Sequence, residues 1–299
     1  MGGGSWTTAS YCNYAYTRGL DSVINGKGNV ELKSSYRVQD LYKQSRLHES
    51  VNPAGVIREC CDSAEHPNTV PVILGLDVTG SMGGATAECA KKINDVMTDL
   101  YKDVKDVEFC CMGIGDFYCD RAPLQVTQFE SDIRVAEQLE KIWFEAGGGG
   151  NSYESYTAAW WFGVNKCKLD CWKRGKKGLI ITMGDEPLNP YLAASDVSHF
   201  MNEKIQGDIE TEELWKAVKE KYEVYHLIVM DHQTCASSYG EQLDNTWGKY
   251  LDKDHLKRVS LQNIGDTIIN IVKEHAAANG EAPAGTTMSL NENGEVIWA

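Results

Sequence analysis

The sequence predicts an α/β protein: a doubly wound, mostly parallel sheet with one antiparallel edge strand and helices on both faces. Three observations carry this. Apolar runs of strand length alternate along the chain with segments of helical period. Several runs, such as VPVILGLD and GLIITM, are apolar throughout, as strands covered on both faces require. Three strand ends carry an acid, Asp77, Asp116 and Asp185, at the edge where doubly wound sheets place their ligands.

Residues 1–68 are rich in Gly, Ser, Tyr and Asn and show little sustained period, which predicts an arm wrapping the domain. Trp6, Tyr11, Tyr14 and Tyr16 argue that it docks, because free tails lack aromatics. A short helix is expected within 37–47. The domain itself is expected over 69–277. It opens with VPVILGLD and a Gly-rich turn, VTGSMGG. A helix over 85–103 follows, with Cys89, Ile93, Val96, Met97 and Leu100 on one face. VEFCCMGIGD (107–116) reads as a second strand and LQVTQF (124–129) as the edge strand. A helix over 131–144 would bury Ala136, Leu139, Ile142 and Trp143. Another helix is expected from Ser152, then the strand 178–183. Residues 195–221 read as helical with one break. Strands over 223–230 and 258–261 and a helix over 263–277 complete the pattern. Residues 278–299 read as a linker-like tail, with Val296 to Trp298 returning as a strand.

Composition narrows the function. The 299 residues carry a formal net charge of −14 and a pI near 5.0. Such a surface repels nucleic acid and anionic membrane. No run of about twenty apolar residues is present, so no membrane span is expected. The N-terminus, MGGGSWTTASYCNY, has neither a basic start nor an apolar stretch, which points to the cytoplasm, of a bacterium or phage. Ten cysteines stand mostly in apolar company, as Cys110 and Cys111 do, and are expected to be reduced. The spacing of Cys167 and Cys171 is not that of a zinc knuckle.

The first strand ends in Asp77-Val78-Thr79-Gly80-Ser81. A turn after a strand points alternate side chains into one pocket, so this spacing delivers a carboxylate and two hydroxyls to one point. An all-oxygen set suits a hard cation: magnesium, with manganese or calcium as alternatives. Gly80, Gly83 and Gly84 let the backbone turn tightly.

Asp-x-Thr-x-Ser after a buried strand resembles the metal-ion-dependent adhesion site of von Willebrand factor A domains. The resemblance covers about residues 69–277. It implies a later aspartate ligand, which maps onto Asp185, and a threonine after a Gly-rich run, where this chain has Asn151. An amide oxygen remains a competent ligand there. The pattern is most similar to alpha-kinase-associated A domains in three places: Asp116 after the second strand, GGG-Asn151-Ser-Tyr-Glu154, and Gly184-Asp185-Glu186-Pro187. Asp116, Gly80 and Glu154 are therefore expected to support the site rather than ligate.

What the resemblance implies is a binding module. Its metal would keep a position open for a carboxylate of a partner protein, with a MoxR-type AAA+ ATPase as the expected partner class. Two other readings are weighed. A phosphoryl-transfer or hydrolytic enzyme on the same sheet would need a second acid where Thr79 stands; no P-loop or serine nucleophile elbow is present either. A scaffold in an RNA-associated complex is disfavoured by the acidity. The chain is expected not to be an enzyme.

Overall fold

The computed structural model describes residues 4–147, 151–231 and 234–280, with the backbone of two short strands, Met288–Leu290 and Val296–Trp298. The main sheet has six strands: β1 (Val70–Asp77), β2 (Val107–Ile114), β3 (Leu124–Val126), β4 (Gly178–Gly184), β5 (Tyr222–Val229) and β6 (Leu256–Val259). Their spatial order is β6-β5-β4-β1-β2-β3, all parallel except β3, which runs antiparallel to β2. This is the doubly wound order, with its switch point between β1 and β4.

The eight longer helices are α1 (Thr8–Thr17), α2 (Gly83–Asp103), α3 (Arg134–Leu139), α4 (Tyr156–Lys166), α5 (Ala194–Met201), α6 (Thr211–Lys221), α7 (Ala236–Trp247) and α8 (Ile264–Ala278). The period of two along each strand divides the core. Val70, Val72, Leu74 and Leu76 of β1, with Leu179 and Ile181 of β4, pack with Ile93 and Met97 of α2 and Ile268 and Val272 of α8. Ile73, Ile180 and Val224 face the other way, into Trp160 and Phe162 of α4, Val218 of α6 and Trp247 of α7. Every residue of β1, β2 and β4 is buried. That is why these runs carry no polar alternation.

The structure departs from the sequence expectations in several places. The helix expected over 131–144 is only Arg134–Leu139. Beyond it, the Gln125 amide takes the backbone of Trp143, donating from Nε2 to the carbonyl and accepting at Oε1 from the N–H, both at 2.8 Å. That pairing holds Trp143 alongside β3 in place of a helical bond. The helix expected from Ser152 begins at Tyr156, because the Ser155 N–H and hydroxyl are bound to the loop after β2. The break within 195–221 is a two-residue ladder, Tyr191–Leu192 with Ile209–Glu210. The edge strand stops at Val126 and the last strand starts at Leu256. Helix α7 was not expected; its ASSYGEQLDNTW carries too few apolar residues to declare a face. Val296–Trp298 does form a strand, but it pairs with Met288–Leu290 rather than with the main sheet.

Residues 4–44 lie against α2 and the α3 region. Thr7 caps α1, its hydroxyl accepting from the Ser10 N–H at 3.1 Å, a helix the weak period concealed. Trp6 is 6% exposed and donates from Nε1 to Asn94 of α2 at 2.9 Å. Tyr11 is fully buried, and Arg18 grips Glu140 through two nitrogens. A hairpin, Ser22–Ile24 with Val30–Leu32, follows, and the expected short helix is Val38–Leu41. Arg58–Cys60 pairs with Cys167–Leu169 after α4. The ten cysteines are free thiols. Among the described residues, no helix is long and apolar enough to cross a membrane.

At the opposite edge from the strand-end acids, His275 near the end of α8 pairs with Glu223 at the start of β5, and His255 approaches the same carboxylate at 3.4 Å. The His275 hydrogen bond holds the Glu223 carboxyl down at about 2, against an ordinary 4.5. A depressed carboxyl stabilises the fold fully above its unfolded value, and that contribution disappears as pH falls through its folded value.

Two stability predictions follow from this packing. Trp6→Ala is expected to cost about 3–5 kcal/mol in urea unfolding; a change under about 1 kcal/mol would mean the arm is not part of the folding unit. The stability difference between wild type and Glu223→Gln should fade as pH falls from ~4.5 to ~2. Chemical unfolding across that window checks it; a difference independent of pH would remove the ion pair as its cause.

Candidate metal centre at the switch point

The register of the sheet builds the site. Leu76 of β1 lies opposite Met183 of β4. Asp77 therefore ends β1 beside Gly184, and Asp185 is the first residue beyond β4. Both carboxylates have 0% exposure. The chain leaves β1 through a single turn, Gly80–Met82, directly into α2. That turn swings Thr79 and Ser81 back over the strand ends. Thr79 donates from its backbone N–H (2.9 Å) and its hydroxyl (2.5 Å) to Asp77 Oδ1. Ser81 donates from Oγ to Asp185 Oδ1 at 3.1 Å. Gly80 lies at the surface and donates its N–H to the Gly147 carbonyl at 3.0 Å, tying the turn to the loop that follows α3.

Four of the expected ligand residues, Asp77, Thr79, Ser81 and Asp185, are thus brought together. Asn151 is not: it is exposed, and its Oδ1 accepts from the Tyr153 N–H at 3.1 Å in a local turn. Asp116 and Glu154 lie close enough for their charges to be felt. Asp116 is 3% exposed, its Oδ1 accepting from the Tyr118 N–H at 3.0 Å. Glu154 is 2% exposed, and its Oε2 accepts no hydrogen bond.

Several site residues gave no signal in the sequence. Tyr156, at the start of α4, donates its hydroxyl to Asp77 Oδ2 at 2.8 Å. A Cβ on Gly184 would fall inside that hydroxyl, so the glycine before Asp185 is required for tyrosine to reach aspartate. The Cys235 N–H donates to Asp185 Oδ2 at 2.6 Å. Behind Tyr156 stand His226 and Trp247, stacked with centroids 3.7 Å apart. Burial pushes the His226 imidazole well down, so it stands neutral, with Nδ1 on the Thr182 hydroxyl. Asp120 folds back over Gly115 and Gly147, where a side chain would collide with its carboxylate, and accepts from the Asp116 N–H. Glu186 completes the group. Only the Gly184-Asp185-Glu186 run, read as a unit, hinted at any of these.

The electrostatics are one-sided. Burial, then the neighbouring Asp185 charge, raises the Asp77 carboxyl. Burial and then Asp77, Glu186, Asp116 and Asp120 raise Glu154. Burial raises Asp185, and burial and then Asp185 and Asp116 raise Glu186. Among the described residues, no Lys or Arg forms an ion pair with any of these acids. Uncompensated buried carboxylates are costly, and a bound cation reverses the logic by favouring their ionised forms. Two carboxylates and two hydroxyls are an oxygen set matched to a hard divalent ion. Among the described residues, no three His, Cys, Asp or Glu side chains converge on one point; hydroxyls supply half of this set.

No family model matches the chain, and no curated protein does. Solved structures similar to it include a vWF domain. That is the vWF domain of the type V pili tip protein Mfa5 from Porphyromonas gingivalis: TM-score 0.39, 11% identity, 70% of this chain and 96% of that one. The pilus adhesin SpaC from Lactobacillus rhamnosus GG aligns with TM-score 0.46 and 12% identity over 76% of this chain. Proximal thread matrix protein 1 from the mussel byssus aligns with TM-score 0.43 and 13% identity, over 77% of this chain and 50% of that one. The chain spans 31% of the length of SpaC.

The Tyr156–Gly184 fit is testable. Gly184→Ala should destabilise by about 1–3 kcal/mol through overpacking. Tyr156→Phe in the same chain should recover part of that loss. Strictly additive costs in a double-mutant cycle would show that the two residues do not share the space.

Proposed function

We propose that the chain is a protein-binding module of the von Willebrand factor A type, which holds a divalent cation, magnesium in the first instance, at Asp77, Thr79, Ser81 and Asp185. The observation that carries this reading is the gathering of two buried carboxylates and two hydroxyls at the switch point, with no Lys or Arg paired to them among the described residues. When bound, the ion would supply an electrophilic position able to attract a carboxylate. Every other part of the arrangement positions the protein's own oxygens. Tyr156 and the Thr79 N–H orient Asp77, and Ser81 and the Cys235 N–H orient Asp185.

Binding is favoured over turnover. Ser81 donates to Asp185 and Thr79 to Asp77, and among the described residues no histidine is hydrogen-bonded to Ser81 or Thr79. The imidazole behind Tyr156, His226, is fully buried and hydrogen-bonded to Thr182. The partner is a protein offering an acidic side chain, and the MoxR-type AAA+ ATPases remain the partner class that the family resemblance suggests.

Calorimetric titration of magnesium and manganese into chelator-treated protein tests the reading. About one equivalent should bind, and Asp77→Asn should abolish binding. Because the ion displaces protons from raised carboxyls, affinity should fall as pH is lowered. Asp77→Asn should also melt no lower than the metal-free wild type, since it removes a repelled buried charge. Binding that survives in Asp77→Asn, or that is indifferent to pH, would place the ion elsewhere.

A further inference from the structure

One divalent ion answers the charge of Asp77 and Asp185. Four acids at the same edge remain: Asp116, Asp120, Glu154 and Glu186. Asp116, Asp120 and Glu154 are 3%, 7% and 2% exposed, and among the described residues none of the four has a Lys or Arg partner. Asp116 and Asp120 each accept a backbone N–H, but Glu154 Oε2 accepts nothing although it is buried. The feature is therefore more than a patch of surface charge: a buried carboxylate oxygen is held without a donor.

Two loops frame these acids, residues 115–120 after β2 and 151–156 before α4. They are joined: the Ser155 N–H donates to the Gly115 carbonyl at 3.2 Å, and the Phe117 N–H donates to Ser155 Oγ at 3.0 Å. Each loop carries a tyrosine that reaches solvent. Tyr118 is 73% exposed and Tyr153 is 37% exposed. Phe117, between them, turns inward against Phe200 instead, with ring centroids 5.2 Å apart.

We infer that these two loops form a cation-accepting subsite beside the metal position, which takes an arginine side chain of the partner protein. This rests on the proposed function, because it places the arginine next to the carboxylate that would meet the ion. A second metal ion fits less well. An ion needs its ligands to converge, and among the described residues no three acids do so. A guanidinium spreads five donors over a plane, so it bridges carboxylates that are near one another but not convergent. It also stacks on exposed tyrosine rings, which a compact ammonium does less well. The acidic chain as a whole, at −14, attracts a basic segment.

The test uses the full chain loaded with magnesium and four probes: N-acetylated, C-amidated Arg-Asp and Asp-Arg, and the same pair with citrulline, the neutral isostere, in place of arginine. Binding is followed by calorimetry or by NMR shifts. At least one arginine peptide should bind about 10-fold tighter than its citrulline counterpart, and the preference should shrink in Tyr118→Ala and in Glu154→Gln. Tyr118 is exposed, so its loss leaves folding intact even if Glu154→Gln perturbs it. Equal affinities for arginine and citrulline, an unchanged preference in Tyr118→Ala, or no saturable binding by any of the four overturn the inference. The citrulline peptides report separately on the metal clamp: magnesium-dependent binding without an arginine preference keeps the proposed function and discards the subsite, and an arginine preference indifferent to magnesium does the reverse.

Discussion

Two buried carboxylates at adjacent strand ends, with no Lys or Arg paired to either among the described residues, set the terms for the rest of this molecule. Asp77 and Asp185 sit where the sheet reverses its winding, and their separation is fixed by the register of β1 against β4. Neither can retreat into solvent, because the turn into α2 closes over one and the loop before α7 donates to the other. Each oxygen is held by a named donor: Thr79, Tyr156, Ser81 and the Cys235 N–H. Those hydrogen bonds lower the cost of burial without cancelling the charge. The arrangement is stable only because the apolar sheet behind it supplies the free energy that the site withholds.

The two faces of the sheet divide that work. On the α2 and α8 face, residues from the N-terminal arm extend the core beyond the six strands, with Trp6 and Tyr11 joining its cluster. On the other face, an aromatic block of Tyr156, His226, Trp247 and Trp160 stands directly under the acids. Its rings are large and offer few places for water. Burial there keeps His226 neutral, and the same dryness strengthens every charge at the edge above. The core and the site are therefore coupled through Tyr156: its ring belongs to the block and its hydroxyl to Asp77.

The parallel strands were legible in the sequence because their pattern has one physical cause. A strand covered on both faces must be apolar throughout, so β1, β2 and β4 announce themselves, and a strand-end acid stands out against them. The Asp77-Thr79-Ser81 spacing was legible for a similar reason: a short turn returns alternate side chains to one place. Elements whose stability comes from contact were hidden. α1 has a weak face and depends on a cap and on two aromatics meeting α2. α7 shows only Ala236, Leu243 and Trp247 to the core. Expectation and structure also part at 131–144, where the helical period is intact but the helix stops at Leu139 and Gln125 takes the Trp143 backbone. Tyr156 could not be found from sequence at all. Its role depends on Gly184, 28 positions further along the chain, having no side chain.

The position of Asn151 bears on how such a site would act. An octahedral magnesium ion takes six oxygens and readily keeps several waters. The protein gathers four donor residues at one point, and Asn151, the remaining sequence candidate, spends its amide oxygen on its own turn at the surface. An ion held by that set alone would be held loosely, with positions left for water or for a partner's oxygen. Weak occupancy before a partner arrived would make ion and partner interdependent: each would raise the affinity of the other, by the same factor in both directions. The residual acids work in the same sense. Their field would draw in a cation without being quenched by one, so the edge would still attract a partner that brings positive charge of its own. An acid presented to the ion and a base presented to Glu154 and Tyr118 would together satisfy charges that neither could satisfy alone, and that mutual requirement is a physical basis for discriminating one partner from many.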